Sequence, residues 1–295
     1  MTRSQWRVLT RVAGVVAFTV CFALALEYSQ GRTGSAAPAR PSPRSAPAAD
    51  ALVAVPAVLA GPRVAATAGT SASFTGLPSV GALFGADGAK AADSHHFCSA
   101  SVVDSPGGNV VATAAHCVVT PGGKTDAPAQ VVFVPGYHDK QEPYGEWTSA
   151  RILVDPRWAA DGDPDYDVAF LVVERAGDPS ARLSDLVGAQ GIAFGTQLPQ
   201  PVGVIGYPSA AEQPVACHNT LKPYSPTQSE FDCPGYADGS SGGPMLTGID
   251  ARTGRGTLVG VIGGYEQGGY TDSVSYASSF GDAVKALYEQ ATVLG

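Results

Sequence analysis

Charged side chains are scarce in this 295-residue sequence, at 15%. So few ions suit long salt-bridged helices badly, and 36 Gly with 23 Pro suit short strands joined by tight turns. Cations are scarcest beyond residue 63, where residues 64–295 carry 11 Lys and Arg against 24 Asp and Glu, a net of −13. A surface that acidic repels phosphate backbones and anionic headgroups, so nucleic acid is not expected as a partner. The longest apolar stretch, Val12 to Leu26, has 15 residues. That is about 22 Å of helix, short of the ~30 Å hydrocarbon core. Behind Arg3, Arg7 and Arg11, and ending near the small residues of Ala23-Leu24-Ala25, it reads as a signal peptide rather than a permanent anchor.

Cysteine is sparse too, with five in all. Cys21 lies inside the apolar stretch, and export would leave Cys98, Cys117, Cys217 and Cys233 in an oxidising compartment, where two disulfides are expected. Residues 31–50 are mostly Ala, Pro, Ser, Gly and Arg, with almost nothing to bury, and read as a disordered stalk or pro-region. Residues 51–75 are richer in Val and Leu, but Pro56, Gly61 and Pro62 interrupt them.

No internal repeat is visible, and nothing alternates strand with long helix as a parallel sheet requires. From about Gly76 the sequence becomes short apolar runs: Val80–Phe84, Phe97–Val103, Val110–Ala115, Gln130–Val134, Ala150–Val154, Val168–Val173, Val202–Tyr207, Pro244–Leu246 and Thr257–Ile262. These runs, separated by Gly, Pro, Asp or Asn, predict an antiparallel barrel or sandwich. One helix is expected at the end, where Phe280, Val284, Leu287, Tyr288 and Leu294 keep near-helical spacing behind Ser279-x-x-Asp282, a capping-box pattern.

Thr113-Ala114-Ala115-His116-Cys117 ends a strand in small residues and leaves an imidazole at its tip. Read as chemistry, His95, His96, Cys98 and His116 could also hold a metal, but that needs free thiolates, which export disfavours. Downstream, Asp238-Gly239-Ser240-Ser241-Gly242-Gly243-Pro244 offers a hydroxyl among glycines. Such a hydroxyl needs a base to remove its proton and backbone N–H donors for the oxyanion that follows. The stretch also satisfies G-x-S-x-G, the nucleophile elbow of α/β-hydrolases, but that fold places its histidine after the serine. All five histidines here precede Ser241. Between the two motifs, Asp163, Asp165 and Asp167 compete as partner of the imidazole. Only Asp167 enters an apolar strand directly, and Asp165 is the fallback.

These motifs resemble the trypsin-like (chymotrypsin-fold) serine proteases, whose signatures are TAAHC around the histidine and GDSGGP around the serine. The resemblance spans about Val80 to Phe280. It implies two six-stranded antiparallel Greek-key β-barrels with a C-terminal α-helix and a catalytic cleft between the barrels. Residues 1–26 would be the signal peptide or anchor, 27–75 the linker or pro-segment, and 76–295 the protease domain. Within that domain, barrel one would take about 76–185, barrel two about 186–279 and the helix about 280–293.

The implied function is a secreted serine endopeptidase, with a catalytically weak or inactive binding module as the alternative. By resemblance His116 is the base, Asp167 its orienting carboxylate and Ser241 the nucleophile, with Gly239 and Ser241 N–H as oxyanion donors. The implied disulfides are Cys98–Cys117 and Cys217–Cys233. No cofactor or metal is implied. A monomer acting on polypeptides is expected, touching a membrane only if residues 12–26 are retained.

Three departures matter. Ser240 stands where many relatives carry an Asp that pairs with a new amino terminus, so activation by such a terminus is not expected. Ala237 replaces the family's common cysteine. The pocket base falls at Gly235 and a wall near Gly263, Gly264 and Tyr265. Glycine at the base supplies no carboxylate for Lys or Arg, so an apolar or small side chain is the default preference.

Overall fold

In the computed structural model, which describes residues 69–86, 94–123 and 130–295, the strands sort by how many of their faces are buried. The segment 1–26 and most of 27–75 lie outside the described residues. In chain order the strands are β1 (Ala72–Ser73), β2 (Val80–Gly85), β3 (Cys98–Val103), β4 (Val110–Thr113), β5 (Val131–Pro135), β6 (Trp147–Val154) and β7 (Ala169–Glu174). After them come β8 (Gly191–Ile192), β9 (Gln200–Gly206), β10 (Val215–Pro223), β11 (Gln228–Asp232), β12 (Pro244–Thr247), β13 (Thr257–Val261) and β14 (Val274–Ser278).

Barrel one closes in the order β2-β3-β4-β7-β6-β5, with antiparallel pairing throughout. β2, β3, β4 and β7 are buried along nearly their whole length because both of their faces are covered, while β6 is only partly buried. In β2, Leu83 points into the barrel with Val102, Phe133 and Trp147. Its neighbours Ala82 and Phe84 point the other way, into a core shared with Ile205, Tyr207 and Leu246 of the second half. The period of two along the strand divides its residues between two cores. Each fully buried Leu or Phe contributes about 1.5–3 kcal/mol.

The second half is a curled sheet in the order β14-β11-β10-β9-β12-β13-β8, with β1 on β10. Its interior holds Val204, Phe231, Met245 and Ile262. Two details depart from a closed antiparallel barrel. β8 pairs with β13 in parallel, and no ladder joins β13 to β14 among the described residues. The seam is crossed instead by a bond from Gly263 N to the Tyr276 carbonyl, 3.0 Å.

Residues 69–75, placed in the linker by the sequence, lie on the second sheet. Ala72 and Ser73 pair with Ala216 and Val215, and Gly69 N bonds the His218 carbonyl at 3.0 Å. The C-terminal helix (Asp282–Leu294) buries Val284, Leu287 and Ala291 in the shared core. Tyr288 of the same helix donates its hydroxyl to the Asp104 carbonyl of barrel one. The helix does not use the Ser279 capping box. Gly281 is its N-cap, with no side-chain cap, because Ser279 and Phe280 are still tied to the sheets through Ser279 N to Thr227 O and Gly195 N to Phe280 O.

Candidate active site

All three residues singled out in the sequence sit just beyond regular structure. Beyond β4, Ala114 is extended and Ala115–Cys117 form a single 3-10 turn that carries His116. Ala114 and Ala115 are fully buried, so the small residues let the turn press into barrel one. Cys117 is bonded to Cys98 of β3, with Cα atoms 6.2 Å apart, which pins the turn from its far end.

The approach to Asp167 is built by caps. α1 (Pro156–Asp161) starts where Asp155 accepts from Arg157 N at 2.9 Å, with Pro156 at its first position, and ends at left-handed Gly162. Asp163 then caps a second turn, Pro164–Tyr166, by accepting from Asp165 N. The three competing aspartates are thereby separated. Asp163 is a cap, Asp165 accepts from Gln228 Nε2 at 2.8 Å, and Asp167 is fully buried against His116. Asp167 Oδ2 accepts from His116 Nδ1 at 2.7 Å and from Gly264 N at 2.8 Å. Its Oδ1 accepts from His116 N, also at 2.8 Å. A carboxylate cannot donate, so Nδ1 carries the proton and Nε2 is left as the acceptor.

Ser241 lies in the loop between β11 and β12, among glycines at positive φ, +95° at Gly239 and +80° at Gly242. A Cβ at Gly242 would lie 2.2 Å from both the Ser99 carbonyl and Thr113 Oγ1, so side-chain loss is required there. Carbonyls of this loop are tied down one by one. Asp238 O accepts from Ser209 N at 2.7 Å, Ser240 O from Gly243 N at 2.9 Å and Ser241 O from Ser99 N at 2.7 Å. Gly239 O accepts from Ser99 Oγ at 2.9 Å. In a trans peptide the N–H points opposite to the C=O. Anchoring Asp238 O and Ser240 O therefore turns the Gly239 and Ser241 N–H groups the other way, and neither donates to a backbone carbonyl among the described residues.

His116, Gly239 and Ser241 all line one cleft of about 1000 Å³. No hydrogen bond joins Ser241 Oγ to His116 among the described residues, and such contacts often tighten only when substrate is bound.

The residues expected to shape the pocket are dispersed. A Cβ at Gly235 would meet Ser71 Oγ at 3.0 Å, so this glycine is packed under the chain that leads into β1. Gly263 and Gly264 abut Asp167. Tyr265 is half exposed, its ring 5.1 Å from those of Tyr224 and Tyr276. At that end the cleft is lined instead by Ala237, Ile262, Gly268, Tyr270 and Asp272. Cys217 and Cys233 are bonded, Cα atoms 6.5 Å apart. Cys98, Cys117 and His116 lie close enough together to suggest a metal site, but both sulfurs are already spent on each other.

Sequence reasoning missed Gln228, which is buried and spans both halves of the molecule. Its Nε2 donates to Pro164 O at 3.0 Å and to Asp165, and its Oε1 accepts from Tyr265 N at 3.2 Å. It thus braces the segment leading to Asp167 against the segment that gives Asp167 its Gly264 donor. A lone polar residue in a polar strand carries no signal of such a role.

The family model of the trypsin-like peptidase domain matches residues 98–261. The chain belongs to that family. Among solved structures it is similar to the protease Anisep from Arthrobacter nicotinovorans, with 28% identity, a TM-score of 0.64, and coverage of 76% of this chain and 99% of that one. The thermostable serine protease AL20 from an extremophilic microorganism is 29% identical, with a TM-score of 0.62 and coverage of 74% and 98%. A Glu endopeptidase, solved in complex with MPD, shares the fold at 16% identity, a TM-score of 0.59, and coverage of 77% and 98%. A search of curated proteins finds no match. The trypsin-like peptidase domain and the two protease neighbours at 28% and 29% identity make the chain a serine-type peptidase, whose substrates are polypeptides.

Proposed function

We propose that the chain is an exported serine endopeptidase in which Ser241 is the nucleophile, His116 its general base and Asp167 the group that orients the base. The observation that carries this reading is the buried Asp167 carboxylate, which holds His116 Nδ1 at 2.7 Å beside a cleft that also exposes Ser241. Nε2, left as an acceptor, takes the Ser241 proton as Oγ attacks the scissile carbonyl. The oxyanion forms against the Gly239 and Ser241 N–H groups. His116 then returns the proton to the leaving amine, and water repeats the cycle on the acyl-enzyme. Asp167 steadies the imidazolium while it lasts. Export is supported by the two disulfides, which persist in oxidising compartments. Among the described residues no helix is long and apolar enough to cross a membrane.

A serine-directed fluorophosphonate probe tests the assignment. Labelling of the wild type that vanishes in Ser241→Ala and His116→Ala is expected. Folded wild-type protein that stays unlabelled at neutral pH would sink the proposal and favour a binding module that kept the fold.

A further inference from the structure

The reaction proposed above makes no use of His96, yet this imidazole is almost fully buried, at 4% exposure. It sits where the two halves of the molecule meet, its ring 5.8 Å from Phe84, 5.5 Å from Tyr137 and 6.2 Å from Tyr207. Its Nε2 lies 3.0 Å from the Pro208 carbonyl, and the neighbouring Tyr207 backbone also acts on the ring. A carbonyl can only accept, so Nε2 is the donor.

The Pro208 carbonyl belongs to the peptide whose N–H is that of Ser209. That N–H donates to the Asp238 carbonyl at 2.7 Å. The Asp238 carbonyl in turn belongs to the peptide whose N–H is that of Gly239. Two peptide units are thus strung in series between the imidazole and the oxyanion donor, each entered at its carbonyl and left at its N–H. Serial hydrogen bonds polarise one another, so a donor at one end strengthens the N–H at the other. The string is also held sideways. Ser209 Oγ donates to the Asp238 carbonyl as well, at 3.0 Å, while Ser99 Oγ accepts from Tyr207 N at 2.8 Å and donates to Gly239 O.

From this geometry we infer that His96 is a positioning residue for the oxyanion donor Gly239, acting through the Pro208–Ser209 and Asp238–Gly239 peptides. The inference rests on the reading of Ser241 as nucleophile. It also accounts for Ser240. That side chain is buried at 1% exposure, and its hydroxyl has no hydrogen-bond partner among the described residues. A Cβ on Gly206 would already come within 2.8 Å of Ser240 Cβ and 3.0 Å of Ser240 Oγ, so the position is tightly packed. The donor peptide is set from the His96 side instead, by neutral groups already in place.

The test compares His96→Phe, which keeps a ring but loses the donor, with His96→Gln, which keeps an N–H donor, in the full chain. Losing an oxyanion donor outright costs roughly 10²–10³-fold in kcat. Loosening it through two peptides is expected to lower kcat about 10-fold in His96→Phe with KM little changed. Affinity for a peptide aldehyde, whose hemiacetal places an oxygen in the same site, should fall by a similar factor. His96→Gln should recover part of both.

An amide-to-ester replacement at the 208–209 bond removes the Ser209 N–H and weakens the Pro208 carbonyl as an acceptor, so it cuts the same string and should reproduce the loss even if His96→Phe does not fold. Unchanged kcat in the ester variant, or in folded His96→Phe, overturns the inference while leaving Ser241 as nucleophile intact. So does a loss confined to KM. A wild type that neither cleaves peptides nor reacts with fluorophosphonate overturns both.

Discussion

In barrel one every strand has two neighbours and the ladder closes on itself, whereas the second sheet runs from β14 to β8 and stops. The contributions to the site differ in the same way. Barrel one presents His116 and Asp167 on single turns next to β4 and β7, fastened by a disulfide, a cap and three N–H donors. The second sheet presents Ser241 on a loop whose carbonyls are held largely from outside it, by Ser99 of barrel one and by Ser209. The dependence runs both ways but unequally: barrel one borrows the Gly264 N–H for its carboxylate, whereas the open sheet needs Ser99 of the neighbouring barrel to hold its nucleophile loop, so the cleft is assembled only when both halves are docked.

The sharpest way to break this comparison is to remove one chemical part from each half. Ser241→Ala and His116→Ala are each expected to lower kcat on the order of 10⁶-fold, because parts that act as a unit fail together. Asp167→Asn should cost less, roughly 10⁴-fold, by offering Nδ1 the wrong partner. Steady-state kinetics on a peptide substrate, with KM within about twofold throughout, would check the order. An Asp167→Asn loss below about tenfold would mean that Gly264 and the His116 main chain, not the imidazole, are the main use of that carboxylate.

The disulfides sharpen it next. They close loops of 19 and 16 residues, so chain entropy differs by only about 0.2 kcal/mol and each is expected to contribute about 2–4 kcal/mol. Their consequences for activity should differ. Paired Cys98→Ala and Cys117→Ala changes release the turn that carries His116, lowering kcat as well as Tm. The pair Cys217→Ala and Cys233→Ala should lower Tm by a similar amount, with kcat per folded molecule retained. Equal kcat losses in both pairs would remove the distinction between a disulfide fastened to a catalytic turn and one that only braces its sheet.

The same difference explains what could be read in advance. Barrel one is buried on both faces, so β2, β3, β4, β5 and β7 all appear as apolar runs, and His116, Asp167 and Ser241 stand out because their neighbours are small or apolar. β10, β11 and β14 were invisible as runs. Sequences such as Gln228-Ser229-Glu230-Phe231-Asp232 bury only part of their length and follow no apolar pattern. The surroundings of the expected pocket base were illegible for another reason. Gly235 packs beside Ser71 of the segment before β1, a contact that joins residues 71 and 235. Ser99, Ser209 and Gln228 act through hydrogen bonds spanning 29 to 140 positions, which no local pattern encodes.

Gln228 gives a smaller test of the dependence of one half on the other. In Gln228→Ala the Tyr265 N–H loses its partner and the Pro164 carbonyl keeps only Ser278 Oγ of its two side-chain donors, at a cost of about 1–3 kcal/mol. kcat should fall severalfold through a looser Asp167, with recovery in Gln228→Glu limited because the carboxylate accepts from Tyr265 but repels Asp165. Thermal unfolding and kcat measured together check this. A stability loss with no change in kcat would confine Gln228 to docking.

The smallest expected effect lies at the seam itself. Burial lowers the pKa of His96, outweighing the Pro208 carbonyl and the Glu212 carboxylate, which act to raise it. An unfolded histidine titrates near ~6.5, so as pH falls the unfolded chain takes up a proton before the folded one does. The stability this residue contributes is complete above that value, declines as pH drops from it to the lower folded pKa, and is constant below. The difference in Tm between wild type and His96→Phe should therefore shift against the wild type between about pH 7.5 and 5, while contributions from the carboxylates cancel in the subtraction. Parallel Tm curves would mean that His96 is as free to protonate in the folded chain as in the unfolded one, and that the seam is wetter than its 4% exposure implies.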